Sequence, residues 1–305
     1  MKKKNSHFDF VCVIEQQLKD DFLTQMARQS YTNDSIRTFK YSMDRFIKFL
    51  AEENINEIQN VSEDDIEKYR LSLVEDNLKS ATIDIYLRTI KLFFSYLEKE
   101  SIIFINPTAD LRIPKADRKL QYIPSVNEMD KFLDFNTDSN ERLRNKAMFE
   151  LAYSCGGRLN EIRMINIKDL DLINGEVKLN GKGDVERLVP MGKTAVHWLN
   201  KYISEARTKM IKDKNEEALF LSRRGNRISK IGIQKQIQYT RKLTDTKITM
   251  HSIRRAFATH LLNNGASPFV IQKLLGHTSL KHLSQYLSVT ITDLKKMHKN
   301  STVGR

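Results

Sequence analysis

Three prolines, Pro107, Pro114 and Pro124, punctuate the stretch from Asn106 to Pro124, where the helical spacing of apolar residues stops. Proline lacks an amide donor and pushes the residue before it toward extended backbone, so no helix runs through such a segment. The chain must therefore fold as two bodies joined by a linker, a basic one carrying Arg112, Lys115, Arg118 and Lys119. At 305 residues there is chain enough for a sizeable core on each side. The expected division is a body over 1–105, a linker over 106–124 and a second body over 125–305.

Before the linker the pattern is helical throughout. Residues 14–29 place Leu18, Phe22, Leu23 and Met26 on one stripe. Thr32, Asn33 or Asp34 caps a second helix, whose Ile36, Phe39, Met43, Phe46 and Leu50 keep a spacing of three or four. Ser62-Glu63-Asp64-Asp65 opens a third, capping-box fashion, burying Ile66, Tyr69 and Leu73. Ser80 or Thr82 opens a fourth, with Ile83, Leu87, Ile90, Phe94 and Leu97 inward. Four such helices make a compact bundle. On its exposed side Lys79, Ser80, Thr82, Arg88 and Lys91 gather toward the start of the fourth helix. Hydroxyls and cations at a helix N-terminus suit phosphate, although ordinary caps on a solvated face account for them equally well.

Charge separates the two bodies. Residues 1–120 hold 19 Lys and Arg against 20 Asp and Glu, so the remainder carries 32 against 18, and the net +13 belongs to the C-terminal part. A surplus of that size points to a polyanion, nucleic acid before a membrane surface. No stretch approaches the roughly 20 apolar residues of a membrane span, and no apolar signal core follows the basic N-terminus. Two distant cysteines, Cys12 and Cys155, build no disulfide framework and fit a reducing cytoplasm, with Cys155 read as a small buried thiol.

After the linker, Ser125–Leu133 and Glu141–Ser154 are helical, the second ending at Cys155-Gly156-Gly157 before Arg158, which heads a further helical turn. Residues 173–191 change period. Val177 and Leu179 alternate, Gly181-Lys182-Gly183-Asp184 turns, and Arg187-Leu188-Val189-Pro190 returns, a β-hairpin with a lysine at its tip. Gly192-Lys193-Thr194 is not the end of a phosphate-binding loop, because that motif needs glycine at position 187, which is arginine. Helices around Val196–Met210 and Ile231–Leu243 flank a basic loop, Ser222-Arg223-Arg224-Gly225. Thr249 caps a helix that runs to Asn264 and stops at Gly265, and Ser267-Pro268 starts the next, ending at Gly276. Thr278 or Ser279 restarts a short helix bearing Tyr286, and an amphipathic piece with Ile291, Leu294 and Met297 closes the chain.

From His251 to Tyr286 the chain gathers His251, Arg254, His277 and Tyr286, a mixture suited to chemistry on a phosphate. Guanidinium forks match phosphoryl oxygens, and His251 and Arg254, three apart, leave one helix face. Arg158, after a glycine pair, can supply a second fork, and Lys182 a proton for a departing alkoxide. Tyr286, with an ordinary pKa near 10, needs cations or a base close by to attack. Each residue alone has a bland explanation, His260 and His282 included, and no metal-ligand set is visible. Residue by residue, the sequence supports a DNA-binding protein with phosphoryl chemistry.

The motifs taken together resemble those of the tyrosine site-specific recombinases, most nearly the bacterial Xer type. His251-Ser-Ile-Arg254-Arg is similar to the family's His-x-x-Arg box, Leu275-Gly276-His277 to its Leu-Gly-His, and Tyr286 follows at the family's nine-residue spacing. Tyr153-Ser-Cys-Gly-Gly-Arg158-Leu-Asn-Glu161 is similar to the box of the first arginine, and Gly181-Lys182-Gly183 with Glu186–Pro190 to the hairpin of the catalytic lysine. The resemblance implies a mainly α fold with a small hairpin or sheet, namely a helical core-binding, SAM-like domain followed by an α+β catalytic domain. It implies that Arg158, Arg254, His251 and His277 hold the scissile phosphate, Lys182 protonates the 5′ oxygen and Tyr286 becomes a 3′-phosphotyrosine. It further implies a double-stranded recombination site and a homo-tetramer on two duplexes, which a second recombinase could join, with exchange through a Holliday junction. No cofactor, ATP or obligatory metal is needed, and no membrane. The last helix, around Thr292–His298, resembles one that packs into a neighbouring subunit.

The sequence departs from the family pattern at Gly157, Asn160, Asp184-Val185 and Arg255, and around Leu283–Ser288. These departures fit a resolvase or integrase of a mobile element as well as a chromosomal Xer enzyme. Arg223 and Arg224 join the first-domain set as expected DNA contacts. Two rival classes are an architectural DNA-binding protein with an inactive site and a type IB topoisomerase, separated by covalent adducts and by site dependence.

Overall fold

The computed structural model describes residues 5–113, 121–181 and 186–276, with side chains from Gln16 onward in the first helix. The chain divides into two compact units, Met1–Leu120 and Gln121–Arg305. The mainly helical two-domain architecture expected from the sequence is the one found. Among the described residues no helix is long and apolar enough to cross a membrane.

The first unit is a bundle of α1 (Asn5–Arg28), α2 (Asn33–Glu52), α3 (Glu63–Glu75) and α4 (Ser80–Lys99). The cap chemistry is largely as read. Thr32 Oγ1 accepts from the Ser35 amide, and Ser62 and Asp65 form a reciprocal capping box. Helix α4 differs: its N-cap is Lys79 with no side-chain cap bond, so neither Ser80 nor Thr82 does that work. The apolar stripes meet in one core, where Phe22, Met43, Phe46, Leu50, Tyr69, Leu87 and Phe94 are fully buried. Residues expected to begin the linker belong to this unit instead. Asn106 and Thr108 are buried, Leu111 and Ile113 pack on the core, and Lys91 Nζ donates to the carbonyls of Ala109 and Leu111. Pro114–Leu120 lie outside the described residues.

The second unit is built on α6 (Asn140–Cys155), buried on nearly every side. Helix α5 (Val126–Leu133), capped by Ser125 and Glu128, packs on it, as do α7 (Leu159–Met164) and α8 (Lys193–Lys201). Helix α8 continues through a π-helical turn, Tyr202–Arg207, into α9 (Thr208–Met210). A three-stranded antiparallel sheet, β1 (Leu170–Asp171), β2 (Glu176–Asn180) and β3 (Glu186–Pro190), adds a short first strand to the expected hairpin. The register pairs Val177 with Val189 and Leu179 with Arg187, so Val177, Leu179 and Val189 enter the core. The remaining helices are α10 (Lys230–Leu243), α11 (Met250–Asn263) and α12 (Pro268–Leu275).

Helix α11 pins the chain where it enters this unit. His260 Nε2 donates to the Pro124 carbonyl at 3.0 Å, leaving Nδ1 to accept from the Tyr153 hydroxyl at 2.7 Å, and Arg255 donates to the Tyr122 carbonyl. Burial pulls the His260 pKa down, which keeps the ring in this neutral, bridging form. Beside it, Gly156 ends α6 in the left-handed region at φ +60° and is pressed against the Phe257 ring, only 2.3 Å from where a Cβ would stand. A side chain at this position costs both backbone strain and overpacking. We expect Gly156→Ala to destabilise the second unit by about 3 kcal/mol, read as a lower urea midpoint with an unchanged m-value.

Candidate active site

Three of the six residues expected to carry the chemistry, Arg158, His251 and Arg254, are described; Lys182, His277 and Tyr286 lie outside the described residues. The described three meet where α6 ends, α7 begins and α11 begins. Arg158 is the N-cap of α7, placed there because Gly156 and Gly157 turn the chain out of α6. Gly157 allows a close approach as well, since a Cβ there would stand 2.7 Å from Ile162. His251 and Arg254 share the first turn of α11, whose Thr249–Ser252 capping box sets its start.

At the centre of the cluster is Glu161, a nearly buried carboxylate. It accepts from the Arg158 backbone amide and from Arg158 Nη1, both at 2.7 Å. Arg187 on β3 grips both of its oxygens, Nη2 at 2.7 Å and Nη1 at 3.2 Å. Arg254 Nη1 lies 3.7 Å from the same carboxylate and donates to the Gly156 carbonyl at 2.7 Å, while its Nη2 donates to the Leu275 carbonyl at 2.7 Å. Burial alone would raise the Glu161 pKa, but the Arg187 and Arg158 hydrogen bonds outweigh it and hold the carboxyl down at about 2. Arg254 is 6 % exposed, whereas the Arg158 side chain is 40 % exposed and reaches the surface.

His251 sits exposed at the rim of this cluster. Partial desolvation lowers its pKa, and the cations Arg255, Arg254, Arg158 and Lys230 lower it further, so the ring is neutral at pH 7. Burial pushes the Cys155 thiol up to about 12, which makes it a protonated core group, as its sequence context suggested. The arrangement can do one thing well. It offers guanidinium groups and a neutral imidazole to a tetrahedral anion, and Glu161, the one carboxylate of the cluster among the described residues, is already engaged.

Glu161 had a readable signal, since an N-cap residue followed by glutamate three positions on is a capping pattern. Arg187 had none. It lies in a strand, and its partner is 26 residues upstream.

The expected DNA contacts divide. Lys79 and Ser80 are exposed at the start of α4, and Thr82 is half-buried there. Arg88 is exposed and pairs with Asp84 at 2.9 Å. Lys91 does not share that open face: it is half-buried and holds the chain beyond α4 through two carbonyls. In the second unit Ser222–Asn226 forms a tight turn closed by the Ser222 amide on the Asn226 carbonyl, with Arg223 and Arg224 projecting outward. Arg223 pairs with Glu141 at 2.6 Å and stays 84 % exposed.

The chain is thus a two-domain protein, a helical bundle followed by an α+β unit whose polar centre among the described residues is a set of arginines around one carboxylate, with the chemistry to bind a phosphate group. Residues 125–292 match the model of the phage integrase family, and residues 18–103 that of the phage integrase N-terminal SAM-like domain. The chain is 34 % identical over 293 residues to the tyrosine recombinase XerD of Oceanobacillus iheyensis, covering 94 % of this chain and 98 % of that protein. It is 33 % identical to the tyrosine recombinase XerC of Herpetosiphon aurantiacus, covering 91 % and 92 %. Its fold is similar to that of the XerH site-specific recombinase in a post-cleavage complex with a palindromic difH substrate, with a TM-score of 0.77 and 23 % identity over 94 % of this chain and 84 % of that one. A lambda integrase dimer bound to a COC′ core site gives a TM-score of 0.71 and 17 % identity over 89 % and 94 %. The chain belongs to the phage integrase family. It is a site-specific tyrosine recombinase, an enzyme that cuts and rejoins DNA.

The carboxylate predicts an acid limb of stability. The folded pKa of about 2 lies below the unfolded value near 4.5, so the stabilisation is complete at neutral pH and is lost as pH falls from about 4.5 to about 2. Glu161→Gln is expected to lower stability at pH 7 by on the order of 3 kcal/mol and to flatten the dependence between pH 5 and 2 by one proton, measured by urea unfolding across that range.

Proposed function

We propose that this recombinase cleaves one strand at a time with Tyr286 as nucleophile, forming a 3′-phosphotyrosine. The Tyr286 oxygen attacks phosphorus, the bond from phosphorus to the 5′ oxygen breaks, and Lys182 delivers a proton to that departing oxygen. Neutral His251 is suited to receive the phenolic proton, and His277 completes the pocket. Arg158 and Arg254 bind the non-bridging oxygens, whose charge grows in the transition state. One phosphoester replaces another, so the ester bond is kept for the return attack by a 5′ hydroxyl, and neither ATP nor a cofactor is required.

The observation that carries this reading is the convergence of Arg158, His251 and Arg254, brought from two distant stretches to one end of α6. A neutral imidazole beside cations is what a phenol nucleophile of ordinary pKa needs. The sequence similarity of the Lys182, His277 and Tyr286 motifs supplies the remaining groups.

Around the duplex, the start of α4, with exposed Lys79, Ser80 and Arg88 and half-buried Thr82, and the turn bearing Arg223 and Arg224 are the proposed backbone contacts. Four copies would act on two duplexes through a Holliday junction. A lambda integrase tetramer bound to a Holliday junction is among the structures of similar fold. The segment around Thr292–His298 is the proposed link to a neighbouring subunit, and a reducing cytoplasm suits the unpaired buried thiol of Cys155.

Nicked duplexes built on the sequence that the wild-type protein selects from a random pool test this directly. Wild type should trap a covalent protein–DNA adduct under denaturing conditions and Tyr286→Phe should not. Arg158→Ala and Arg254→Ala should keep site binding while losing on the order of a hundredfold or more in cleavage rate. An adduct from Tyr286→Phe would remove the nucleophile assignment, and arginine variants that lost only binding would remove the clamp.

A further inference from the structure

Arg187 has no part in the chemistry assigned above, yet its guanidinium is engaged at three points. Its two terminal nitrogens span both oxygens of Glu161, at 2.7 and 3.2 Å, and its Nε donates to the Leu274 carbonyl at 2.7 Å. The side chain is only 10 % exposed, and its Nε, Nη1 and Nη2 all donate within the protein. Its guanidinium also packs against Gly276, where a Cβ would stand 3.0 Å from Nη1 and the backbone is left-handed at φ +61°. It thus ties β3, which follows Lys182 in sequence, to α7 and to the last turn of α12, which precedes His277 in sequence.

The charge count gives this geometry a consequence. Among the described residues, three guanidinium groups surround one carboxylate: Arg158 with Nη1 at 2.7 Å, Arg187 in a two-point grip and Arg254 at 3.7 Å. A buried carboxylate pulls hardest on whichever cation presents the better fork. The side chain best placed to satisfy it is the one turned away from solvent. We propose that Arg187 is a positioning residue that neutralises Glu161, so that the charge of Arg158 and Arg254 acts on the scissile phosphate rather than on the carboxylate. Without it, Glu161 draws the Arg158 fork inward and cancels charge where the phosphate has to bind. Glu161 is then both the anchor of Arg158 and its competitor for phosphate, and Arg187 decides between the two roles.

This inference rests on the phosphate-clamp reading of Arg158 and Arg254, and the test separates the two. Single-turnover cleavage and site affinity are measured on the same nicked duplexes for Arg187→Met and Arg187→Lys, each with and without Glu161→Gln, alongside Arg158→Ala. Arg187→Met should slow cleavage at least about tenfold with affinity within about twofold, and Arg187→Lys, which keeps the cation though not the fork, should lose clearly less than Arg187→Met. Adding Glu161→Gln to Arg187→Met should speed cleavage again, because the unneutralised carboxylate is removed; a purely structural role predicts a further loss. Wild-type cleavage by Arg187→Met, equal losses for Met and Lys, or a slower double variant would each overturn the proposal. If Arg187→Met does not fold, Arg187→Lys decides: near wild-type cleavage, or a loss that Glu161→Gln relieves, supports neutralisation, and a loss that Glu161→Gln leaves or deepens overturns it. Normal cleavage by Arg158→Ala would instead sink the clamp itself, whatever Arg187 does.

Discussion

The second unit is arranged around one buried carboxylate. Taking Glu161 out of water is unfavourable unless strong donors replace the solvent, and the fold delivers them from separate elements. The start of α7 gives the Arg158 amide and side chain, β3 gives Arg187, and α11 brings Arg254 alongside. The same guanidinium groups cap carbonyls that a helix end leaves without partners: Gly156 beyond α6, and Leu274 and Leu275 in the last turn of α12. The ends of two helices and the edge of a sheet are therefore fixed relative to a single charged atom pair. A phosphate site needs its forks held to within a fraction of an ångström, and here backbone carbonyls hold them.

Packing beneath the cluster keeps that arrangement stiff. Helix α6 is buried on almost every side, so it cannot rotate without disturbing α5, α8 and α11 together. At its C-terminal end, Gly156 and Gly157 admit no side chain, with Phe257 and Ile162 occupying the space. The Gly156 carbonyl is thereby pressed into the position where Arg254 donates to it. The core also explains why His260 is structural. It joins Tyr153 on α6 to Pro124 at the entrance of the unit, remote in role from His251 although both ride on α11.

Much of this was legible in the sequence where the governing physics is local. The capping residues Thr32, Ser62, Ser125, Thr249 and Ser267 act within four residues, and left-handed glycines such as Gly265 and Gly276 end helices by their own backbone freedom. The stripes of α2, α3 and α4 repeat at helical spacing and bury as that spacing requires. Features without a local period were not legible. The start of α1 at Asn5 was missed because its apolar residues there stand adjacent or two apart. The π-helical turn Tyr202–Arg207 has no composition of its own, and β1 is two residues long. Lys91 read as a candidate phosphate contact, and Arg187 only as part of the returning strand of the hairpin. Their partners, at Ala109 and Glu161, lie 18 and 26 residues away, and only tertiary structure makes them neighbours.

That difference between local and distant pairing also separates the two units. In the first, most ion pairs join residues three or four apart on one helix: Arg37–Asp34, Lys48–Glu52, Lys68–Asp65, Arg70–Glu67 and Arg88–Asp84. Such pairs survive as long as the helix does and contribute little to how helices assemble. In the second, arginines reach across the chain: Arg187 to Glu161, Arg223 to Glu141, Arg227 to the Arg163 and Ile165 carbonyls, and Arg254 to Gly156. Each of these exists only when the whole unit is folded. The arginine cluster is thus cooperative with the core beneath it, and a partly opened second unit loses the cluster before it loses its helices. A surplus of positive charge would otherwise favour opening. Placing one carboxylate at the point where three guanidinium groups meet turns that repulsion into a reason for the unit to close.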